Sequence, residues 1–491
     1  MNVLLVYPKY PETYWSFQHA LKFISKKAVF PPLGLLTVAS LLPDEWDKKL
    51  VDLNVAELKK EDIAWADMVF ISAMIVQTDS AQKIIRRCKA LGKPIVAGGP
   101  AATSRHEKLA GVDHFVLNEA EISLPRFLAD WKKGTPKPIY ESADRPDITQ
   151  TPLPLWSLIN LKDYATMPIQ YSRGCPFNCE FCDIIVMYGR TPRTKNPQQM
   201  IREMQALREV GWKGDVFIVD DNFIGNKSRV KKMLPVLSRW QKQHKYPFTF
   251  TTEASANLAE DEELMQLMSA ANFQKVFVGI ETPNLDSLKE CGKYQNTSQS
   301  LEEAVKLIQH NGMQVMGGFI IGFDNDTDSI FEAQIKFIQK VGIVTAMVGL
   351  LNALPQTRLW HRLKAEGRIL HNTTGENTDA SLNFVPVMAK EKLLAGYKTV
   401  VSTIYSHRQY YDRINTFIRH YKPRAKSRIS FRDIQAAIRS MWHIGILSRA
   451  RFYYWKLIVK TSLRRIKSLP AAIELAIYGL HFERVSARVT R

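Results

Sequence analysis

Cysteine is scarce in this chain, whose 491 residues include five, at positions 88, 175, 179, 182 and 291. Three of the five share one loop, so too few remain for a disulfide framework, and we expect a reducing compartment, the cytoplasm. No window of about twenty uncharged apolar residues occurs, and the apolar run at residues 3–7 is too short for a signal peptide. A membrane-spanning helix is therefore not predicted.

A dinucleotide fingerprint is also missing, because no G-x-G-x-x-G follows the first apolar run. Residues 1–131 alternate helix-length segments with strand-like runs at 3–7, 49–53, 68–74, 94–99 and 114–121. This pattern predicts an α/β domain with a doubly wound (Rossmann- or flavodoxin-like) sheet, whose ligands bind at the carboxyl ends of strands. Gly98-Gly99-Pro100 follows one run, where it either admits a ligand close to the backbone or forms a tight turn.

The second predicted domain spans residues 167–370, after a proline-rich linker at residues 132–166. Strand-like runs at 167–172, 215–223, 248–255, 275–282, 313–323 and 344–353 alternate with helical stretches. Six such units in about 190 residues predict a partial (β/α)6 barrel, short of the eight units of a full TIM barrel.

Polar and acidic residues close several of these runs, where the catalytic groups of barrels gather. Asp220-Asp221-Asn222 follows the second run, and Glu253 and Glu281 follow the third and fourth. The fifth run ends in Gly322-Phe323-Asp324. For Asn222 and Asp324, a helix N-cap and a site residue are equally good interpretations.

Acidic charge is scarce in the C-terminal part, residues 371–491, which is predicted to be helical. Residues 401–491 contain 19 lysines and arginines but four acidic residues, so most of the net charge of +19 lies there. The region lacks a recognisable DNA- or RNA-binding motif, and no nucleic-acid partner is expected. Its basic aromatic segment either lies on an anionic membrane surface or is a solvated cationic face packed on its own barrel. The tyrosines at positions 397, 405, 410, 411 and 421 are interpreted as core.

The loop at residues 171–183, YSRGCPFNCEFCD, places Cys175, Cys179 and Cys182 in a C-x3-C-x2-C arrangement. Thiolates are soft ligands that select iron-sulfur clusters, zinc or Cu(I). Three ligands leave one iron of a four-iron cluster open for another molecule. The alternative is a structural zinc site, completed by Cys291 or a distant histidine.

With Phe181 before the last cysteine, this loop resembles that of the radical S-adenosylmethionine (SAM) superfamily. The domain order and the segments FPPLGLLTVASLL at 30–42 and AGGPAAT at 97–103 resemble its cobalamin-binding branch. The segments FIVDDNFIGNK, VGIETP and LLNALPQT resemble the subgroup that includes the hopanoid methylases. Because D-x-H-x-x-G is absent, the resemblance implies cobalamin bound without a protein histidine on cobalt.

The resemblance also implies site residues. A 4Fe-4S cluster would be held by Cys175, Cys179 and Cys182. SAM would contact residues of the cysteine loop and of the strand ends: Phe181, Asp220, Asp221, Asn222, Glu253, Glu281 and Gly322. Asp220-Asp221-Asn222 departs from the Gly-Gly-Glu-type motif usual at its position. Cobalamin would contact loops of the N-terminal domain: Met74, Gly98, Gly99, Pro100, Asn118 and Glu119.

The activity implied is transfer of a methyl group from methylcobalamin to an unactivated carbon of a lipid-like or other large metabolite. A low-potential electron donor of the flavodoxin or ferredoxin type would reduce the cluster. Two alternatives stay open: a cobalamin-dependent radical cyclase or rearrangement enzyme without methyl transfer, and a non-catalytic corrinoid or iron-sulfur binding protein. The predicted location is the cytoplasm, with peripheral contact at the inner membrane surface through the basic tail. No catalytic side chain is singled out.

Overall fold

The structure is a computed structural model that describes residues 1–376, 378–424 and 430–490. The chain divides into two compact units. The first unit comprises Met1–Glu12, Lys26–Ile169 and Arg202–Trp212. The second comprises Thr13–Ser25, Gln170–Ile201 and the described residues from Lys213 onward.

A six-stranded sheet, parallel throughout, forms the centre of the first unit. The first strand in the chain lies between the second and the third, which gives the order 2-1-3-4-5-6, with the flavodoxin-like start 2-1-3-4-5. The strands are Asn2–Tyr7, Asp47–Asp52, Met68–Ser72, Ile95–Gly98, His114–Val116 and Ile139–Tyr140. The main helices are Leu33–Leu41, Lys60–Trp65, Thr78–Lys89, Pro100–Arg105 and Ala120–Lys132.

The side chains of the first strand alternate between two buried cores, which explains why helices cover both faces of this sheet. Leu4 and Val6 belong to one buried core, whereas Val3 and Leu5 belong to the other. Successive strand residues point to opposite faces, so a strand that is apolar throughout needs helices on both sides. The predicted doubly wound domain is confirmed. The strand Ile139–Tyr140 lies within the segment predicted to be an extended linker.

Five parallel strands of the second unit pair in the order in which they occur in the chain. They are Gly214–Ile218, Phe248–Ala254, Phe273–Glu281, Gln314–Ile321 and Ala346–Leu350. Another strand, Met167–Ile169, directly precedes this unit in the chain. All six predicted strands are therefore present. The helices after the strands include Lys227–Gln243, Glu262–Ala270, Leu285–Glu290, Leu301–His310, Ser329–Val341 and Arg358–Ala365.

The C-terminal region is helical, as predicted, with helices Lys390–Ile404, His407–His420, Phe431–His443, Arg451–Arg464 and Leu469–Thr490. The five tyrosines interpreted as core residues are all buried. Arg413 is fully buried among them and donates to the carbonyl oxygen of Ile404 at 2.7 Å. Residues 425–429, at the start of the predicted basic tail, lie outside the described residues. Within the described part, no helix is long and apolar enough to cross a membrane.

Candidate active site

The cysteine loop, residues 174–182, is held in place by a glycine. Gly174 has φ +94°, a conformation that L side chains rarely adopt. A Cβ atom here would stand 2.9 Å from the carbonyl oxygen of Gly189 and 3.0 Å from that of Thr191. The amide of Cys175 donates to the Gly189 carbonyl at 3.3 Å. The loop thus folds onto the turn after the helix Ile184–Tyr188, and only glycine fits at its start.

Two side-chain amides donate to the cysteine sulfurs. Nδ2 of Asn222 lies 3.7 Å from Sγ of Cys175, and Nε2 of Gln295 lies 3.5 Å from Sγ of Cys179. Donors aimed at sulfur favour thiolates and are one of the means by which proteins set the potential of an iron-sulfur cluster. Among the described residues, no group of three metal-ligating side chains converges on one metal ion. A four-iron cluster requires no such convergence, since each thiolate binds a different iron.

Asp220 anchors the base of the cysteine loop. Its side chain is fully buried, and its two oxygens accept hydrogen bonds from the amide of Tyr171 at 2.7 Å and the hydroxyl of Ser172 at 2.6 Å. Burial raises the pKa of Asp220 to about 6. Both oxygens are therefore engaged by residues just before the loop, and a contact of Asp220 with SAM stays a prediction.

Asp221 and Glu253 complete an acidic cluster with Asp220. Burial, reinforced by the charges of Asp220 and Asp183, raises the pKa of Asp221 to about 7. Burial and the charges of Asp221 and Asp220 raise the pKa of Glu253 to about 8. Carboxylates gathered in this way favour a cation, which would offset their mutual repulsion. SAM carries positive charge on its sulfonium and amino groups, so the cluster fits the predicted ligand.

The two helix-cap interpretations are wrong. The helix Lys227–Gln243 is capped by Asn226, whose side chain accepts from the amide of Arg229 at 3.1 Å. Asn222 instead donates to Sγ of Cys175 through Nδ2 and accepts a hydrogen bond from the amide of Ser255 through Oδ1, at 3.3 Å.

Asp324 is the centre of an ion-pair network rather than a cap. Arg368 contacts its two oxygens at 2.6 and 2.9 Å, and Arg362 contacts it at 2.9 Å. Arg362 also holds Glu180, inside the cysteine loop, at 2.6 Å. The network therefore fixes one side of the loop to the end of the fifth barrel strand.

Glu281 forms a buried ion pair that the sequence did not reveal. Its Oε1 lies 2.7 Å from Nζ of Lys293, and both side chains are nearly buried. Burial alone would lower the pKa of Lys293, but the charges of Glu281, Cys179 and Cys182 raise it. A Cβ on Gly279 would stand 2.4 Å from Oε1 of Glu281 and 2.9 Å from Nζ of Lys293, so a side chain here would displace the ion pair. Lys293 thus places positive charge near the predicted cluster.

Phe181 lies within the cysteine loop, and Gly322 follows the fifth barrel strand. Gly322 has φ +108°, and its amide donates to Asp326 at 2.9 Å. Asp326, which the sequence did not single out, also accepts from the amide of Phe323 at 3.1 Å. Phe181 packs on Phe323, with ring centroids 6.2 Å apart. Their predicted contacts with SAM stay predictions.

Cys291 is a protonated thiol in this arrangement. Its Sγ donates to the carbonyl oxygen of Leu288 at 3.5 Å, and its own carbonyl accepts from the amide of Glu180 at 2.8 Å. Burial, assisted by the charge of Glu281, raises its pKa to about 12. Cys291 supports the backbone of the cysteine loop.

The predicted cobalamin residues follow three neighbouring strands of the first unit. Met74 is 43% exposed beyond the third strand. Gly99 has φ +83°, and a Cβ there would stand 2.4 Å from Oγ of Ser72, while Pro100 begins a helix. Asn118 has φ +61°. Of the remaining two residues of the prediction, Gly98 ends the fourth strand and Glu119 follows Asn118 after the fifth. The sheet brings all six to its carboxyl edge.

Two family models match the regions of the two predicted domains. The Radical SAM superfamily matches residues 169–338, and the B12 binding domain matches residues 23–128. A Domain of unknown function (DUF4070) matches residues 357–491, the helical region.

Two relatives align over nearly the whole chain. The Hopanoid C-2 methylase of Rhodopseudomonas palustris (strain TIE-1) is 33% identical over 99% of this chain and 94% of its own length. The Uncharacterized methyltransferase sll1242 of Synechocystis sp. (strain ATCC 27184 / PCC 6803 / Kazusa) is 44% identical over 93% of this chain and 86% of its own length. The chain belongs to the cobalamin-dependent radical SAM methyltransferases.

Solved structures of two radical SAM enzymes with bound cobalamin share the fold. The cobalamin-dependent SAM radical enzyme OxsB, with aqua-cobalamin and SAM bound, superposes with a TM-score of 0.65 at 14% identity, covering 99% of this chain and 79% of that one. The methyltransferase TsrM from Kitasatospora setae gives a TM-score of 0.59 at 15% identity, covering 76% and 79%.

Membership in this methyltransferase family decides between the metals considered for the cysteine loop. The cofactors of the enzyme are a 4Fe-4S cluster, SAM and cobalamin, and the zinc alternative is wrong. The non-catalytic alternative is also wrong, because the chain is an enzyme of this family. The family assignment does not identify the substrate.

Proposed function

We propose that the enzyme methylates an unactivated carbon of an isoprenoid lipid, and that its substrate is a hopanoid or a compound of similar size and polarity. The observation that carries the proposal is the alignment with the Hopanoid C-2 methylase over 99% of this chain, which includes the C-terminal helices. By contrast, the Bacteriochlorophyllide d C-12(1)-methyltransferase of Chlorobaculum tepidum is 26% identical over 78% of this chain.

The residues of the second unit have distinct tasks in this reaction. Cys175, Cys179 and Cys182 hold the cluster, and Asn222 and Gln295 stabilise two of the thiolates. When bound, the three cofactors supply one-electron chemistry at an unactivated carbon and the methyl group that is placed there.

Two groups of opposite charge flank the cluster site. The acidic cluster attracts the cationic part of SAM, since its carboxyls have raised pKa values that a cation would lower. Lys293 contributes positive charge near Cys179 and Cys182 and offsets part of the negative charge of the cluster thiolates. The carboxyl groups thus face the cationic ligand, and Lys293 serves the anionic cluster.

The proposed electron donor is a low-potential flavodoxin or ferredoxin, because the cluster must receive single electrons. The proposed location is the cytoplasm, which the five unpaired cysteines support, since a reducing compartment keeps thiols free. We further propose that the enzyme contacts the inner membrane surface peripherally through its basic tail, where a lipid substrate would be found.

The test compares the lipids of cells that carry the intact gene, no gene, or a variant. We expect one lipid to gain a methylene unit in mass with the wild-type gene, and we expect this product to disappear with Cys179→Ala. Cys88→Ala is the matched control, because Cys88 is buried in the core of the first unit and is not part of the cysteine loop. An isomerised lipid of unchanged mass would instead indicate radical rearrangement and would contradict the proposal.

A further inference from the structure

The helices Phe431–His443 and Arg451–Arg464 expose an unusual number of apolar side chains. Among the described residues, twelve of the 23 exposed large apolar side chains lie between positions 431 and 466. Proteins in water rarely expose a contiguous apolar patch unless it binds something. This part of the second unit is therefore an interaction surface.

In the first of these helices the apolar side chains share one face. Phe431, Ile434, Ile438 and Trp442 follow one another at helical spacing and are 80%, 50%, 62% and 57% exposed. Residues at such intervals form a single stripe along a helix. The stripe is thus a continuous apolar face rather than scattered surface residues.

The opposite face of this helix is already used for packing. Ala436 and Ser440 are buried, and the guanidinium of Arg439 donates to the carbonyl oxygen of Lys22 at 3.0 Å and to Oγ of Ser25 at 2.7 Å. Small and polar residues therefore face the protein, and large apolar residues face outward. This is the reverse of the usual arrangement in a water-soluble helix.

The second helix also exposes an apolar stripe, although its buried face is mostly apolar as well. Phe452, Trp455, Val459 and Leu463 are 74%, 40%, 54% and 80% exposed and again stand at helical spacing. The indole of Trp455 donates to the carbonyl oxygen of Gly445, in the turn between the helices, at 2.9 Å. Trp455 therefore joins the apolar stripe of the second helix to the turn that follows the first.

The charge of this segment selects the kind of partner. Residues 431–467 contain nine lysines and arginines and one acidic residue, Asp433. Lys456, Lys460 and Arg464 recur every four residues along the exposed side of the second helix. Long basic side chains can lie along apolar surface while their charged ends reach lipid phosphates. The partner must accordingly be both apolar and anionic.

We propose that these two helices form a docking face for an anionic lipid bilayer, with the apolar stripes inserted at the boundary of headgroups and acyl chains. Apolar residues with Trp, beside Lys and Arg, are typical of helices that lie in a membrane interface. The proposal rests on the peripheral membrane contact stated above and identifies the residues that make it. It explains how an enzyme with no spanning helix in its described part would meet a lipid substrate.

The experiment measures binding of the full-length holoenzyme to vesicles by sedimentation. One set of vesicles is phosphatidylcholine alone, and the other contains about one third phosphatidylglycerol. The apolar variant is Ile438→Ser with Phe452→Ser and Leu463→Ser. The basic variant is Lys456→Gln with Lys460→Gln and Arg464→Gln. All six positions are solvent-exposed.

The control variants carry the same changes at exposed positions elsewhere. Leu153→Ser with Leu307→Ser and Leu370→Ser matches the apolar variant, and Lys213→Gln with Lys232→Gln and Lys242→Gln matches the basic variant. We expect the wild type to bind anionic vesicles at least about 100-fold more tightly than neutral ones. The basic variant should lose about 100-fold in affinity for anionic vesicles, since each basic residue near the surface contributes about fivefold. The apolar variant should lose binding to both.

Three outcomes would overturn the proposal. They are equal binding of the wild type to both kinds of vesicle, wild-type binding by the two docking variants, and equal losses in the controls. Self-association that only the apolar variant abolishes, with vesicle binding unchanged, would assign the face to a second copy of this chain. Because binding is measured without turnover, its failure is distinct from failure of methyl transfer, which both variants should retain on detergent-dispersed lipid.

Discussion

Asn222 donates its side-chain amide to Sγ of Cys175 at 3.7 Å while its carbonyl oxygen accepts from the amide of Ser255 at 3.3 Å. The second contact orients the amide, so that its N–H points at the sulfur. A donor to a cluster thiolate stabilises the more negative, reduced state of the cluster. Asn222 is therefore held by the end of the third barrel strand in an orientation that raises the reduction potential of the cluster.

Replacing Asn222 by leucine should make the reduction potential of the cluster more negative, because the reduced state loses a donor to sulfur. An anaerobic redox titration followed by electron paramagnetic resonance measures the shift. Gln266→Leu removes an exposed amide that contacts Glu262 and should leave the potential unchanged. A potential that stays the same or rises in the Asn222 variant would contradict the assigned role.

Gly174→Ala should reduce the iron content of the purified enzyme by more than half. The new Cβ would meet the carbonyl oxygens of Gly189 and Thr191 at 2.9 and 3.0 Å, so the cysteine loop must move. Gly211→Ala is the matched control, since Gly211 has a similar φ of +90° but nothing within 4 Å of its Cβ position. Equal iron contents in the two variants would contradict the role assigned to the contact at Gly174.

Lys293→Met should lower the free energy of unfolding by about 3–5 kcal/mol, because it leaves the buried carboxylate of Glu281 without its partner. Adding Glu281→Gln should recover much of this loss, since no unpaired charge remains. Lys336→Met breaks an exposed pair with Glu332 and should cost less than about 1 kcal/mol. Anaerobic denaturant titrations compare these three variants with the wild type, and equal losses at Lys293 and Lys336 would refute the claim.

The acidic cluster predicts a pH dependence of stability. The pKa of Glu253 is raised from 4.5 to about 8, so the folded protein holds a proton that the unfolded chain has lost. Stability of the SAM-free enzyme should therefore fall as pH rises through this range, by about 1.4 kcal/mol for each pKa unit at most. Melting temperatures should show the fall in the wild type and a flatter profile in Glu253→Gln. Parallel profiles would contradict the raised pKa.

Much of the architecture was predictable because it depends on local patterns. Apolar runs of strand length, with helical segments between them, identified the strands of both sheets, and the three-cysteine loop identified the metal centre. The acidic strand ends were predictable for the same reason, because Asp221 and Glu253 stand at the ends of apolar runs. The strand at residues 139–140 was missed because two residues carry no periodic signal.

The partners of these residues were not predictable, because they come from segments far apart in the chain. Lys293 and Gln295 follow a short helix with no distinctive spacing, yet they contact Glu281 and Cys179. Asp324 was considered as a cap because aspartates are common after strands, but it forms ion pairs with Arg362 and Arg368. Only the folded chain shows which of several chemically equivalent partners is close enough to bind.

We propose that this enzyme places a methyl group on a lipid carbon. The most direct test incubates the anaerobically purified holoenzyme with a hopanoid, a low-potential reductant and SAM whose methyl group is fully deuterated. The account predicts a methylated lipid that carries the deuterated methyl carbon, absent with Cys179→Ala and retained with Cys88→Ala. Cleavage of SAM without transfer of the labelled methyl group to the hopanoid would contradict it.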